Sequence, residues 1–143
     1  MKLIAHRGNL NGKNPFYENS PKYCQEAIDK GFDVEIDIWY TDTWWTGHHR
    51  PSYRVDTDFL KMKEVWCHAK NIEALKRLLD LGAHCFFHQN DPVTLTSKGY
   101  MWTYPTHPLT ENSICVLPEL QKIDTKGCAG ICSDFLIDFS TKK

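Results

Sequence analysis

Two stretches decide how this chain is read: Leu3-Ile4-Ala5-His6-Arg7-Gly8 and Asp33-Val34-Glu35-Ile36-Asp37-Ile38-Trp39-Tyr40. The second alternates strictly. Val34, Ile36 and Ile38 face one side of a strand, and Glu35, Asp37 and Trp39 face the other. A half-exposed strand with its acids in solvent would carry the same pattern. The nearby Trp39, Trp44 and Trp45 argue instead for a sheltered, aromatic setting. Two carboxylates on one interior face are costly there unless a cation neutralises them. The first stretch reads as a strand over residues 2–6, with Lys2, Ile4 and His6 on one face. It runs into a Gly- and Asn-rich loop over 8–12, which suits close approach of backbone to a ligand.

Outward from these strands the punctuation is clear. A helix is predicted over residues 20–30, with Ser20 as N-cap, Pro21 in the first helical position and Gly31 beyond the end. Trp44-Trp45-Thr46 is a short strand running into Gly47-His48. Residues 56–62 form one or two helical turns, and 64–69 a strand with Trp66, His68 and Lys70 on one face. Residues 71–81 form a helix, capped by Asn71, buried along Ile72, Leu75, Leu78 and Leu79, and stopped by Gly82. Strands follow at 84–88, 100–104, 113–117 and 129–136, joined through irregular segments at 89–98 and 105–112.

Strands and helices alternate in the first half, which argues for parallel βα units. Polar residues recur where strands end: His6 with Arg7, Asp37, His48, Lys70, His88, Glu119 and Asp134. In a closed βα barrel those ends form one rim, and catalysis sits on that rim. The expected fold is therefore α/β, a compact TIM-type (β/α) barrel over residues 1–143 as a single domain. Such barrels usually run to about 250 residues, so the outer helices must be few, about two, with strands left bare in the second half. Bare strands leave apolar surface, and homodimerisation through that face is the matching expectation.

Composition sets the outer bounds. Apolar residues make up 41% and charged residues 24%, as in an ordinary globular protein. The formal net charge of −1 offers no global basic field, so nucleic acid is not an expected partner. The amino terminus does not read as a signal peptide, and no stretch approaches the ~20 apolar residues of a membrane span. A cytoplasmic location is the default expectation. Cys24, Cys67, Cys85, Cys115, Cys128 and Cys132 fall mostly in strand-like runs and read as small buried hydrophobes. Cys128 and Cys132 lack the second close pair that a zinc site would use.

His6-Arg7-Gly8, Glu18-Asn19-Ser20, Glu35-Ile36-Asp37 and Gly47-His48, in this order and spacing, resemble the motifs of the glycerophosphodiester phosphodiesterases. That family lies within the wider group that holds the phosphatidylinositol-specific phospholipases C. The resemblance continues more loosely. His68-Ala69-Lys70 stands where the family has E-x-K. Trp102-Thr103 resembles its W-T, and Gly130 to Asp134 resembles its closing G-x-x-T-D. Two residues depart from the pattern: His49 replaces an Asp, and His68 replaces the third acidic metal ligand.

The resemblance implies metal-dependent hydrolysis of a small phosphodiester. Glu35 and Asp37 would hold a divalent ion, Mg²⁺ or Ca²⁺ first and Mn²⁺ after them. Glu18 would sit at the metal or orient Arg7. His68 is either a third ligand, favouring Mn²⁺ or Zn²⁺, or a filler of the interior layer. His6 and His48 would share the acid and base roles. Arg7 and Lys70 would bind phosphate oxygens, and Trp102 would shape the pocket wall. His88 and Glu119 read as structural. The alternative is a phosphate-ester-binding protein without turnover on a degenerate barrel. A metal or redox protein built on the histidines and cysteines is the third reading.

Overall fold

Strand β2, Asp33–Tyr40, is paired three times over, and the rest of the chain is laid out around it. The computed structural model describes residues 1–140. The other strands are β1 (Lys2–His6), β3 (Trp44–Thr46), β4 (Tyr53–Arg54), β5 (Val65–Ala69), β6 (Cys85–Phe87), β7 (Val93–Leu95), β8 (Met101–Thr103), β9 (Ser113–Val116) and β10 (Gly130–Ser133). The helices are α1 (Pro21–Asp29), α2 (Thr57–Leu60), α3 (Ile72–Leu81) and α4 (Leu136–Ser140), with one 3-10 turn at Pro118–Leu120.

Parallel pairing runs from β6 through β5, β2, β1, β10 and β9 to β8. Strand β7 joins β8 antiparallel, and β3 joins the far end of β2 antiparallel, with β4 beyond it. The sheet is thus mixed and curls into a half-barrel. This corrects the expected TIM-type (β/α) barrel: four short helices do not make an outer ring. The cause is the length of the connections. A parallel crossover usually needs about a dozen residues, and the one from β8 to β9 spans 104–112. The segments 88–92 and 96–100 are too short for one, so β7 turns back on β8 as a hairpin. No ladder joins β6 to β7. That seam is held by Ser97 N donating to the Cys85 carbonyl (2.8 Å), Cys85 N donating to Ser97 Oγ (2.9 Å), and Thr94 Oγ1 donating to the Phe87 carbonyl (3.0 Å).

Alternation along the strands divides the core in two. Ile4, Trp66, Phe86, Trp102, Ile114, Val116 and Cys132 pack inside the curl. Val34, Ile36, Ile38, Cys67 and Cys85 point outward under α1 and α3, against Cys24, Ala27, Ala74 and Leu78. The caps are those expected. Ser20 Oγ accepts from Tyr23 N, Asn71 Oδ1 accepts from Ala74 N, and Gly82 takes the left-handed conformation after α3.

The second half is not bare. Cys115 and Ile131, on the outer faces of β9 and β10, are buried in the same cluster as Cys128, with Leu109 and Ile123 packed against it. Loops do the work of helices there. Among the described strand residues, the large apolar side chains left exposed are Val93 and Leu95 of β7. All six cysteines are buried and free. No helix among the described residues is long and apolar enough to cross a membrane.

Candidate active site

The C-terminal ends of β1, β2, β5 and β10 meet at one mouth of the curl. Glu35 and Asp37 are two apart on β2, so both side chains enter the interior, where they are 2% and 1% exposed. His68 lies opposite Asp37 in the parallel register of β5 and β2. Asp37 Oδ1 is 3.0 Å from His68 Nδ1, and Glu35 Oε2 is 3.7 Å from the same nitrogen. These three donors all lie within 4.8 Å of one another.

The orientation of His68 decides what that group can hold. Its Nε2 is 3.0 Å from the His88 carbonyl oxygen, which can only accept, so Nε2 carries a hydrogen. A neutral ring then aims the Nδ1 lone pair at two carboxylates. Either a proton or a divalent cation must fill the gap. Burial alone would lower the imidazole pKa, but hydrogen bonds to Asp37 and Glu35 outweigh it and push it up to about 9. Asp37 moves the other way. Burial opposes its charge, yet His68 and Arg7 hold it well below the usual carboxylate range. A ring that donates its far nitrogen to a backbone carbonyl while facing carboxylates is also how metal-binding imidazoles are set. The residues present therefore fit a divalent ion, with one donor atom each from Glu35, Asp37 and His68.

The remaining oxygens are engaged. Glu35 Oε1 accepts from Arg7 N (3.3 Å) and stands 3.9 Å from His6 Nε2. Asp37 Oδ2 accepts from Asn19 Nδ2 (2.9 Å) and faces Arg7 Nε at 3.4 Å. Asn19 closes the clamp from the other side, its Oδ1 accepting from Asp37 N at 2.9 Å. It reaches this position with φ +69°, a conformation Asn tolerates better than most residues.

His6 is held by Asp134, its Nδ1 donating to Asp134 Oδ1 at 2.8 Å. Burial would lower the His6 pKa, but the bond to Asp134 and the nearby Glu35 win and raise it. Asp134 is in turn lowered, as its bond to His6 overcomes burial. Buried Asn9 ties this pair to its neighbours: Nδ2 donates to Asp134 Oδ1 (3.0 Å) and Glu18 Oε2 (2.9 Å).

His48 comes from the loop after β3. Gly47 sits at φ +150°, where an added Cβ would meet the Arg50 carbonyl oxygen, and its own carbonyl accepts from Trp39 Nε1 at 2.7 Å. Among the described residues His48 has no carboxylate within salt-bridge distance. Its Nδ1 lies 3.3 Å from His49 Nε2, and burial together with the Arg7 charge pushes its pKa down to about 4.

His6, Arg7, Glu35, Asp37, His48, His68 and Lys70 all line one cavity of about 370 Å³. Trp102 and Tyr104 close its wall. Glu18 stands apart from this cavity's lining and from the three-donor group. Its oxygens take Arg7 Nη1 (3.1 Å), Asn9 Nδ2 and Asn14 N. Of its two expected places, this is the one behind Arg7. His88 is in the lining, with its ring 4.3 Å from that of Tyr104, while Glu119 turns to Ser133 Oγ and Asp134 N.

Sequence reasoning missed Asn9, Tyr104 and the pairing of Asp134 with His6. Asn9 sits in a Gly- and Asn-rich loop that reads only as loop. Asp134 was visible as a strand-end acid, but nothing in a linear pattern joins positions 128 residues apart. Comparison with protein-family models, with curated proteins and with solved structures returns no match.

Proposed function

We propose that the chain is a metal-dependent phosphodiesterase acting on a small, glycerophosphodiester-like substrate in this cavity. The observation that carries the reading is the convergence of two imidazoles, two cations and the Glu35–Asp37–His68 group on one cavity. The motif resemblance, carried by the same residues, agrees with it. A divalent ion held by Glu35, Asp37 and His68 would supply charge neutralisation at a phosphoryl oxygen.

The chain's own residues divide the rest. Arg7, held in place by Glu18, and Lys70 bind the non-bridging oxygens. His6, backed by Asp134, keeps a proton at Nδ1 and presents Nε2 to the side where Glu35 lies. Its raised pKa favours a second proton on Nε2, and that Nε2 proton is the one delivered to the leaving alkoxide, Nδ1 keeping its own. His48, without an acid behind it, is the neutral partner that takes a proton from the nucleophile. Trp102 and Tyr104 exclude water along the opposite wall.

One feature favours the alternative of binding without turnover. Arg7 already lies against Glu18 and Asp37, so the site is internally neutralised before any ligand arrives. Phosphorus NMR of glycerophosphodiesters with the chain and added Mg²⁺, Mn²⁺ or Ca²⁺ separates the two. A new monoester or cyclic phosphate signal, abolished by chelator, is the expected result. Ligand line-broadening without product under all three ions would favour the binding protein.

A further inference from the structure

We propose that the Glu35–Asp37–His68 site selects a divalent transition ion, of the Mn²⁺ and Zn²⁺ kind, over Mg²⁺ and Ca²⁺. The inference rests on the reading that this group holds a cation, and it names the class of ion.

The argument begins with how many oxygens are free. Glu35 Oε1 is taken by Arg7 N, and Asp37 Oδ2 by Asn19 Nδ2. Each carboxylate therefore keeps one oxygen clear of these bonds, Oε2 and Oδ1, as its best donor. Ca²⁺ seeks about 6–8 oxygen ligands and often uses carboxylates in pairs. Mg²⁺ binds oxygen and gives up water reluctantly. For both, the third protein donor is the wrong element. An imidazole nitrogen suits Mn²⁺ poorly to moderately and Zn²⁺ well, and both better than the alkaline-earth ions.

The imidazole also cannot turn away to let water take its place. Its Nε2 is fixed on the His88 carbonyl, and its ring stacks on Phe86 at 5.1 Å and 14°. Asp37 and His68 are paired residues on adjacent parallel strands, so the ladder fixes the separation of their backbones. The Asp37 spacing is right as it stands, and Glu35 needs only a small approach. Cis ligands about 2.1 Å from a common ion lie about 3.0–3.4 Å apart. Nδ1 lies 3.0 Å from Asp37 Oδ1 and 3.7 Å from Glu35 Oε2. Three donors on rigid strands, facing a cavity, match an ion site that keeps positions open for substrate.

The test is equilibrium binding, independent of turnover. The full chain is stripped with chelator and dialysed against Mn²⁺, Zn²⁺, Mg²⁺ or Ca²⁺, and bound metal is measured. Pulsed electron paramagnetic resonance of the Mn²⁺ form then reads nitrogen coupling from a coordinated imidazole. One Mn²⁺ or Zn²⁺ should bind at least about a hundredfold tighter than Mg²⁺ or Ca²⁺, with nitrogen coupling present. His68→Glu should remove that coupling and shrink the preference at least about tenfold. Equal or tighter binding of Mg²⁺ or Ca²⁺, or bound Mn²⁺ without nitrogen coupling, overturns the proposal and leaves the phosphodiesterase reading standing. No binding of any ion overturns both. Should His68→Glu fail to fold, the coupling in the unaltered chain still decides, with His68→Gln as the second variant. Strong ion selectivity without product from any diester would leave this inference standing and remove the proposed activity.

Discussion

At the scale of single residues, the site is a set of mutual dependences. His6 and His48 carry the proposed proton transfers. His6→Ala or His48→Ala should each cut turnover about 10²–10⁴-fold while circular dichroism stays unchanged. Asp134 gives a prediction in pH. Its pKa is lowered in the fold, so its contribution is present above the ordinary value near 3.9 and fades as pH falls below it. His6 is raised, so its contribution is complete below about 6.5 and fades as pH rises through the folded value. The stability gap between the native chain and Asp134→Asn, from urea melts in chelator, should therefore peak between about pH 4 and 6.5. A gap that is flat from pH 3 to 9 would contradict the pairing. Asn19 holds Asp37 through both its amide atoms. Asn19→Ala leaves the buried Asp37 N–H without a partner and its Oδ2 with Arg7 alone, and should cost about 3 kcal/mol in the same melts.

At the scale of elements, positions are set by register and by turns. The alternation in β2 puts Glu35 and Asp37 on one face, and this much could be read directly. The caps of α1 and α3 could be read too, because Ser20, Asn71 and Gly82 act on backbone groups a few residues away. Short strands could not. Tyr53–Arg54 and Val93–Leu95 are too brief to show a period, and the second lies in a segment that reads as irregular. The end of the chain misled in another way. Residues 129–136 read as one strand, but β10 stops at Ser133, and Leu136 opens a helix. The loop carrying His48 has its own dependence on Gly47. Gly47→Ala would drive a Cβ into the Arg50 carbonyl, shift His48, and reduce turnover about 10²-fold with little change in metal binding.

At the scale of the whole molecule, the open seam between β6 and β7 is the feature that most separates this fold from a closed barrel. Most of the hydrogen bonds across it run through side chains, those of Thr94, Thr96 and Ser97. Local opening should begin there. Amide hydrogen exchange should be fastest in β7 and at Cys85 among the strands, and Ser97→Ala should accelerate it at Cys85 while leaving β1 and β2 unaffected. Uniform protection across all strands would contradict a seam.

By itself, the sequence determined the strand faces, the helix caps and the identity of the charged groups at the strand ends, because each depends on neighbours within a few residues. The tertiary structure alone decided closure, partnership and loop cover. Whether β6 meets β7 depends on connection lengths summed around the sheet. Whether Asp134 reaches His6 depends on β1 and β10 lying side by side. Whether β9 and β10 stay bare depends on where Leu109 and Ile123 fall. Those are long-range contacts, made when the curl brings distant segments together, and no local pattern encodes them.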